Sequence, residues 1–502
     1  MLHSMKSTDS NTAPRSFVDD PSIQKRRWTI LIVLNLFTFM STLDGSIVNI
    51  ALPSISQTLG LPVAQTEWVV TSYLMVICAA ILFFGKLGDI FGKIKVFKWG
   101  MVLFLIGSLL CGLSHNLFTL IASRAVQALG ASMTMANSQG IVTELFPKTE
   151  RGKALGLVGT FVSLGSIAGP SLGGVIVSGL GWEYIFWVNV PIGLVAIVIA
   201  WRLLPKDVSL LKVKIDTAGS LLFTLFILAL FSGLLLGQQT GYQNPWIISS
   251  FALSVIVLIA FLVVEVRKEQ PLLQLSLFKN PLFSLSILCG YLTFAANFAY
   301  NILSPFYLQS ILNLSPFHAG LVLMVFPIIM VIVSPLSGAL SDKIGSELLT
   351  FIGLLLMFTT HIGLASLHDG SPLALVMLLI AMLGLGNGIF QPSNNSLIMS
   401  QAPRSQLGVA GSVNSLIRNV GMVTGITVAT SVLFHFMSSR AGYRVTGLIP
   451  GRPDIFLFGM KAAYTTSAVI CLIAAVLTGL RLWSVRRKKQ EADKKSLSTV
   501  TQ

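Results

Sequence analysis

Charged side chains are scarce in this sequence. Asp, Glu, Lys and Arg make up only 11% of its 502 residues, whereas a soluble globular protein has about 25%. Hydrophobic residues reach 54%, and the mean hydropathy is +0.80. So few charges cannot form the surface of a water-soluble protein of this size. The composition therefore indicates that most of the chain lies in a lipid bilayer.

Several kinds of site are also missing. The four cysteines lie far apart in or beside apolar stretches, which excludes a disulfide framework and a metal cluster. There is no glycine-rich ATP-binding loop, no catalytic constellation and no long extramembrane segment. The net charge of +15 falls in short breaks between apolar stretches, so nucleic acid is not an expected partner. We therefore expect no enzyme activity, no metal and no cofactor.

Apolar stretches of about 20 residues, the length that crosses a bilayer as a helix, recur along the chain. We predict an all-α membrane protein with fourteen transmembrane helices. They are placed near 28–51, 64–85, 97–114, 118–143, 152–177, 184–204, 215–237, 246–266, 282–308, 317–340, 347–367, 372–398, 405–437 and 458–483.

Basic residues alternate between the breaks as the positive-inside rule requires. The first six outside breaks contain no Lys or Arg; the last, 438–457, is the exception, with three arginines. Both termini are therefore predicted to be cytoplasmic. The basic residues of the inside breaks and the C-terminal tail are Lys86, Lys93, Lys95, Lys148, Arg151, Lys206, Lys212, Lys214, Arg267, Lys268, Lys279, Lys343, Arg404, Arg486, Arg487, Lys488 and Lys489.

An internal repeat predicts how the helices are grouped. The stretch GKLGDIFG at 85–92 recurs as GALSDKIG at 338–345, each at an inside turn. Duplicated halves are the usual construction of secondary transporters, so we predict two pseudo-symmetric six-helix bundles with an inserted helix pair. The predicted divisions are a cytoplasmic tail at 1–27, the first bundle at 28–204, the inserted pair at 205–270, the second bundle at 271–483 and a basic cytoplasmic tail at 484–502.

The stretch from Gly85 to Lys95 resembles the loop signature of the major facilitator superfamily. Gly85 and Gly92 permit a tight turn, Asp89 can meet a helix N-terminus, and Lys93 holds the loop inside. Ile90 stands where the superfamily usually has arginine, so an ion pair often drawn from that position is absent. A basic turn with no part in gating is the alternative.

The fifth predicted helix carries a second signature, GSIAGPSLGG at 165–174. It resembles the motif that marks exporters of this superfamily rather than importers. Its small residues let two helices touch backbone to backbone, and its proline permits a bend; ordinary tight packing is the alternative. The motif residues are Gly165, Gly169, Pro170, Gly173 and Gly174.

Further stretches resemble the fourteen-helix drug:proton antiporter branch (EmrB/QacA-like). They are LDGSIVNIALP at 43–53, WVNVPIG at 187–193 and PLLQLSLFKN at 271–280. The resemblance implies a multi-pass protein of the bacterial cytoplasmic membrane, functional as a monomer. It would exchange protons for amphipathic, cationic or lipophilic toxic compounds by alternating access, driven by the proton gradient. Export of one dedicated lipid, peptide or antibiotic remains an alternative, and a membrane enzyme or receptor a remote one.

Two charges stand out deep in the predicted spans, Asp44 in the first helix and Arg124 in the fourth. A buried charge costs about 2.5 to 3.5 kcal/mol on insertion scales, so each is a functional candidate. Both lie roughly 10 Å below the outer surface at about 1.5 Å per residue, which allows them to pair. We predict that Asp44 carries the coupled proton and Arg124 tunes it. Thr42 points away from Asp44, so either Gly45 distorts the helix or the two faces meet different neighbours.

Polar residues in other spans are candidates for the substrate pathway, although about half of those in the second bundle should instead form interhelical hydrogen bonds. Glu67 attracts cations at the outer mouth or is simply a solvated glutamate at a helix start. The full candidate set is Glu67, Asn49, Gln127, Asn297, Tyr300, Asn301, Asn387, Gln391, Asn394, Asn414 and Arg418.

The repeat also predicts an inside gate. Asp89 and Asp342 occupy equivalent loops, and Arg151 and Arg404 equivalent helix starts. We expect Asp89 to approach the helix beginning near Arg404, and Asp342 the one beginning at Arg151, when the inside is closed. Free N–H groups at a helix start stabilise a carboxylate by about 0.3 to 1 kcal/mol.

Overall fold

The computed structural model describes residues 17–147, 150–207, 216–268, 271–401 and 407–500, which form helices joined by short connections. The first half contains α1 (Pro21–Leu59), α2 (Val63–Thr66), α3 (Trp68–Phe91), α4 (Lys93–Gly112), α5 (Leu117–Leu145), α6 (Arg151–Gly179), α7 (Tyr184–Trp187) and α8 (Asn189–Leu203). Then come α9 (Thr217–Thr240) and α10 (Pro245–Arg267). The second half contains α11 (Pro281–Phe306), α12 (Pro316–Leu323), α13 (Val325–Ile344), α14 (Ser346–Ala365), α15 (Leu373–Gln401), α16 (Leu407–Ala441) and α17 (Pro453–Val500).

Twelve helical segments among the described residues are long and apolar enough to cross a membrane. The predicted all-helical membrane class is therefore confirmed. Large apolar side chains cover the lipid-facing surfaces; Ile256 and Val266 of α10, for example, are 63% and 74% exposed. Helices α5 and α6, with 29 residues each, do not belong to these twelve.

Helices begin at capping residues rather than where the apolar stretches begin. The Asp20 side chain accepts a hydrogen bond from the Ser22 N–H, and Pro21 occupies the first turn, where its missing N–H costs nothing. As a result α1 begins at Pro21, earlier than the predicted start at 28. At the other end of the chain α17 continues to Val500, so the helix extends beyond the predicted end at 483 through the polar C-terminal segment.

The repeat seen in the sequence has a structural counterpart. Gly92 and Gly345 separate α3 from α4 and α13 from α14, with nearly equal backbone angles (φ 103° and 94°, ψ 125° and 139°). A positive φ is accessible mainly to glycine, so both turns depend on this residue. The following helices α4 and α14 each have 20 residues, and the next pair, α5 and α15, each have 29.

Each half also contains an equivalent close contact between two glycines. Gly100 of α4 faces Gly130 of α5, and Gly353 of α14 faces Gly386 of α15. A Cβ atom on Gly130 would lie 2.6 Å from the Gly100 carbonyl oxygen, and one on Gly386 would lie 3.0 Å from the Gly353 carbonyl oxygen. Small residues let membrane helices approach backbone to backbone, and both halves use them at equivalent positions.

The bundle has two ends, which we call the N-terminal end, where α1 begins, and the first-loop end, where α1 turns into α3. The halves touch at the first-loop end. Gly174 of α6 packs on the backbone of Pro316 and Phe317, and the Gln309 amide donates to the Ile50 carbonyl oxygen at 3.5 Å. This end of the path between the halves is closed.

The glycine contact gives a stability prediction. Gly130→Ala would place a Cβ 2.7 Å from the Phe104 Cα, and overpacking of this kind costs about 1 to 3 kcal/mol. We expect a lower melting temperature for the purified variant. Gly338→Ala is the matched control, because a Cβ there meets nothing within 4 Å and alanine favours a helix by about 0.5 to 1 kcal/mol. Equal melting of the two variants would contradict the tight contact.

Candidate functional site

Asp44 and Arg124 form an ion pair inside the first half. The Arg124 Nη1 atom donates to Asp44 Oδ2 at 2.7 Å, and the two side chains are 1% and 0% exposed, arginine first. Helix α1 supplies the carboxylate and α5 the guanidinium. The equal depth expected from the sequence thus corresponds to direct contact, while the role of the pair in proton coupling stays a prediction.

Two amides complete the surroundings of the carboxylate. Gln127 of α5 and Asn189 of α8 each donate to Asp44 Oδ1 at 2.9 Å. Gln127 also donates to the Ser108 hydroxyl of α4 at 2.8 Å. The charge of Asp44 is therefore shared among donors from two neighbouring helices, and buried charges persist only when paired and hydrogen-bonded in this way.

Arg124 is held on more than one side. Its Nε donates to the Val69 carbonyl oxygen of α3 at 3.1 Å. Its guanidinium carbon lies 3.9 Å from the centre of the Tyr73 ring and 5.5 Å from that of Phe186. Contacts of a cation with aromatic faces contribute about 0.5 to 2 kcal/mol. A proton on Asp44 would remove the negative charge that holds this cation, so the site links a protonation event to contacts among four helices.

The two faces of α1 serve different neighbours. The helix runs unbroken through Gly45, so Asp44 faces α5 and α8 without a distortion. On another face, Ser46 donates to the Gly165 carbonyl oxygen of α6 at 3.1 Å. Thr42 bonds to its own helix, through the Thr38 carbonyl oxygen at 2.8 Å. Of the two alternatives left by the sequence, the structure shows the second.

Sequence reasoning missed four partners of the ion pair: Asn189, Tyr73, Phe186 and the Val69 carbonyl. Asn189 lies within the quoted stretch 187–193, so its polarity in an apolar span was an available signal. Tyr73 gave no such signal because aromatic residues are common throughout the spans. The Val69 carbonyl is backbone, which only a three-dimensional structure can assign.

Glu67 differs from its predicted setting. It was expected at the outer mouth, in contact with water or incoming cations, but it is 1% exposed. Its carboxyl lies between the halves, beside the Thr430 hydroxyl of α16. A glutamate at a helix start is usually solvated, but here the second half of the protein covers the start of α3. The local sequence does not reveal this contact, because the covering residues are distant in the chain.

The remaining pathway candidates are buried or half-buried, and most of them form hydrogen bonds. Four of them make hydrogen bonds between helices: Asn297 to Met357 Sδ at 3.4 Å, Tyr300 to the Leu323 carbonyl at 3.5 Å, Asn394 to the Ser286 carbonyl at 3.1 Å and Asn414 to Asn395 at 2.9 Å. Asn301 and Asn49 bond weakly within their own helices, to the carbonyls of Asn297 and Gly45. Asn387 is buried, and Gln391 and Arg418 are half-buried.

The exporter-type motif in α6 packs against α1. Gly165 approaches Phe39, Gly169 approaches Ser46 and Gly173 approaches Ile50, in each case closely enough that a Cβ would clash. Gly174 instead meets Pro316 and Phe317 across the two halves. The helix passes through position 170 without a break, and the Pro170 side chain lies outside what the structure describes.

The loop at the end of α3 is tied to its own half. Asp89 pairs with Lys93 at 2.9 Å, and Lys93 pairs with Glu144 of α5 at 2.7 Å. The start of α4 is capped by Asp207, which accepts from the Ile94 and Lys95 N–H groups at 2.8 and 3.0 Å. Gly85 packs beside Ala136, where a Cβ would lie at 3.8 Å.

The expected partners of this loop are outside the described part. Arg404 lies outside the described residues, as do the side chains of Asp342 and Arg151. The paired gate between the halves therefore stays a prediction.

These features define a class: a bundle of membrane-spanning helices, built from two related halves, with a buried ion pair inside the first half. The sequence profile of the Major Facilitator Superfamily matches residues 34–426. The chain belongs to this superfamily and is a transporter rather than an enzyme.

Similar proteins of known or assigned function extend over nearly the whole chain. The riboflavin transporter RibZ of Clostridioides difficile (strain 630) is 37% identical over 462 residues, which cover 90% of this chain and 97% of that protein. The multidrug transporter protein MdtP of Bacillus subtilis (strain 168) is 30% identical, covering 85% and 78%. Multidrug resistance protein 3 of the same organism is 31% identical, covering 86% and 84%.

Solved structures share the fold at low identity. A mutant of the peptide transporter POT in complex with sulfate superposes with a TM-score of 0.66 at 16% identity, covering 93% of this chain and 96% of that one. A bacterial homolog of the human lysosomal transporter Spinster, inward-facing and unoccupied, gives 0.62 at 16% identity, covering 90% and 96%. These likenesses establish the fold alone.

The ion pair yields a prediction on stability and geometry. Arg124→Ala leaves the Asp44 charge buried without its partner, and breaking such a pair costs about 3 to 5 kcal/mol. We expect a large loss of thermal stability. Arg124→Lys keeps the charge but loses the planar fork, so it should be intermediate in stability and partly active.

The double variant Asp44→Asn with Arg124→Gln is the control, because it removes both charges together. Its melting temperature should lie well above that of Arg124→Ala. If Arg124→Ala melts like the unmodified protein, the pair does not hold these helices together.

Proposed function

We propose that this protein is a proton-coupled antiporter that exports amphipathic, cationic or lipophilic toxic compounds by alternating access. The observation that carries the proposal is the buried Asp44 carboxylate, held by Arg124 inside the first half. An exchanger needs a group whose proton loading changes helix contacts, and Asp44 touches α5 and α8 directly. The multidrug proteins among its relatives support the substrate class.

The topology that we propose has fourteen spans. Helices α5 and α6, at 29 residues each, add to the twelve apolar segments. Some labelled helices share one span: α7 and α8 form Tyr184–Leu203, and α12 and α13 share Pro316–Gly338. With the four-residue α2 left out, α1 to α8 and α11 to α17 each supply six spans. Helices α9 and α10 are then the inserted pair. The N-terminal end is placed in the cytoplasm, because Lys and Arg gather in its breaks, and the first-loop end faces outside. The protein would lie in the cytoplasmic membrane and work as a monomer.

One dedicated substrate is the second candidate function. It is favoured by the relative with 37% identity, which is named as a riboflavin transporter. In that case the path would take a planar heteroaromatic compound instead of many unrelated ones. Both candidates use the same alternating movement, so they differ in what the pocket accepts.

A reconstitution experiment tests the function and separates the candidates. Purified protein in proteoliposomes, given an imposed pH gradient, should move cationic dyes against their own gradient if it is a multidrug exchanger. Riboflavin is assayed in the same vesicles. Movement of riboflavin without the dyes would support the dedicated substrate, and no gradient-dependent movement of any compound would overturn proton-coupled export.

Asp44→Asn tests the coupling residue in that assay. The amide keeps the shape of the side chain but cannot carry the exchanged proton, so gradient-driven transport should fall to the background of empty vesicles. Asp369→Asn is the matched control, since Asp369 is exposed in the turn before α15 and its loss should leave transport unchanged. Normal uphill transport by a folded Asp44→Asn variant would rule out this assignment.

The predicted inside gate has a separate test. If Asp89 stabilises the form closed at the cytoplasmic side, Asp89→Asn should shift the protein toward inward-open forms. A cysteine at position 395, which is exposed near that end of α15, should then react faster with a water-soluble maleimide, roughly two- to thirtyfold. Glu144→Gln is the control, because it also removes a carboxylate from Lys93 but lies outside the proposed gate contact. Equal rates in the Asp89→Asn variant and the unmodified protein would refute the gate.

A further inference from the structure

Glu67 is a carboxyl group buried where the two halves meet. It precedes α3 in the first half and lies against the second half at the first-loop end. The surrounding side chains are apolar: Ile302, Leu303, Phe306, Leu433, Phe434, Leu448 and Phe456. With 1% of its surface exposed, this acid has been removed from water by contact between halves that must separate during transport.

The hydrogen bonds around Glu67 favour a protonated carboxyl. Neither of its oxygens meets a hydrogen-bond donor among the described residues. The Thr430 hydroxyl lies beside it, but that hydroxyl donates its own hydrogen to the Ile426 carbonyl oxygen at 2.8 Å. To donate to an ionised Glu67, this hydroxyl has to turn away from the Ile426 carbonyl oxygen, whereas a protonated carboxyl can donate to it without that loss.

No described charge compensates an ionised Glu67. On the connection between α9 and α10, the Tyr242 phenol is within electrostatic reach of Glu67, and its oxygen bonds to Ser431 at 2.7 Å. Among the described residues, the cavity beside the carboxyl is lined by apolar side chains of α11, α16 and α17 and of the connection between the last two, and the Thr430 hydroxyl lies next to it. On α5 the nearest cation is Arg124, and Asp44 already holds it. An unpaired carboxylate in such surroundings is strongly disfavoured.

We propose that Glu67 is a second proton-binding site, whose protonated form fastens α3 to α16 and keeps the first-loop end closed. Loss of the proton leaves a charge that the closed interface does not accommodate, so the ionised form favours separation of the halves and contact of Glu67 with water. This inference rests on the proposed function for its alternating movement and for the placement of the first-loop end outside.

Both acids are connected to the first turn of α3, Glu67 by its place in the chain and Asp44 through Arg124. Glu67 lies two positions before Val69, whose carbonyl oxygen holds Arg124 Nε at 3.1 Å. The Glu67 carbonyl oxygen itself accepts the N–H and the hydroxyl of Thr71, both at 2.9 Å. A shift of this turn when the halves separate therefore acts on the partner of Asp44 as well. The geometry gives a physical route between the two proton sites.

The test measures closure directly, without substrate or gradient. The four native cysteines are buried, so spin labels can be placed at Thr58→Cys and Asp369→Cys, which are exposed at the first-loop end of opposite halves. Distances are recorded in nanodiscs between about pH 5 and about pH 9, a range that covers ordinary and raised carboxyl values. One coupled proton changes the closed-to-open ratio by up to about tenfold per pH unit.

The closed state binds the proton more tightly, so its population should be highest at low pH and fall as the pH rises. Glu67→Gln, neutral at every pH, should stay closed throughout. Glu183→Gln is the matched control: it removes a half-buried glutamate from the same end of the bundle and should keep the full pH response.

Two results would overturn the proposal: distances in the unmodified protein that do not change with pH, or a Glu67→Gln variant that opens as the unmodified protein does. A monodisperse size-exclusion profile identifies variants that are folded, and Glu67→Asp supplies a second variant that should retain a pH response. The transport assays judge the proposed function separately. If the unmodified protein moves no compound with the imposed pH gradient while its spin-label distances follow pH and Glu67→Gln stays closed, coupled export fails and the Glu67 site stands.

Discussion

The cost of a charge in an apolar environment is the constraint on which this structure depends. Asp44 and Arg124 are buried inside a bundle of apolar helices, where neither charge is stable alone. Their direct contact at 2.7 Å, with Gln127 and Asn189 completing the carboxylate, offsets that cost. Because the partners come from α1, α5 and α8, with the Val69 carbonyl from α3, one ionic site fixes the arrangement of four helices. Any change in its protonation is therefore felt beyond the pair.

Close helix packing supplies the second constraint. The glycines at 100 and 130 in one half, and at 353 and 386 in the other, bring equivalent helix pairs into backbone contact. Contacts of this kind hold each half together as a unit. Between the halves, the contacts at the first-loop end are made by Gly174 and Gln309 on one side and by the apolar groups around Glu67 on another. A movement of one half against the other would have to break these contacts.

Glu67 and Asp44 are both buried carboxylic acids, but their surroundings differ. Asp44 is surrounded by hydrogen-bond donors, whereas Glu67 meets apolar side chains and one hydroxyl. Both acids act on the first turn of α3, Asp44 through Arg124 and Glu67 through its own position in the chain. A proton at either site would change contacts of the same turn, which is a physical basis for linking two steps of a transport cycle.

The class of the protein could be predicted from the sequence, because the apolar length needed to cross a bilayer and the rarity of charges within it are local properties. The same reasoning singled out Asp44 and Arg124 and the repeat around Gly92 and Gly345. What lies opposite each residue became known only from the packing of the helices. Asn189 of α8 completes the Asp44 site, and the helix start at Glu67 is covered by the other half rather than by water. Those relations depend on how distant segments pack, which no local pattern of residues encodes.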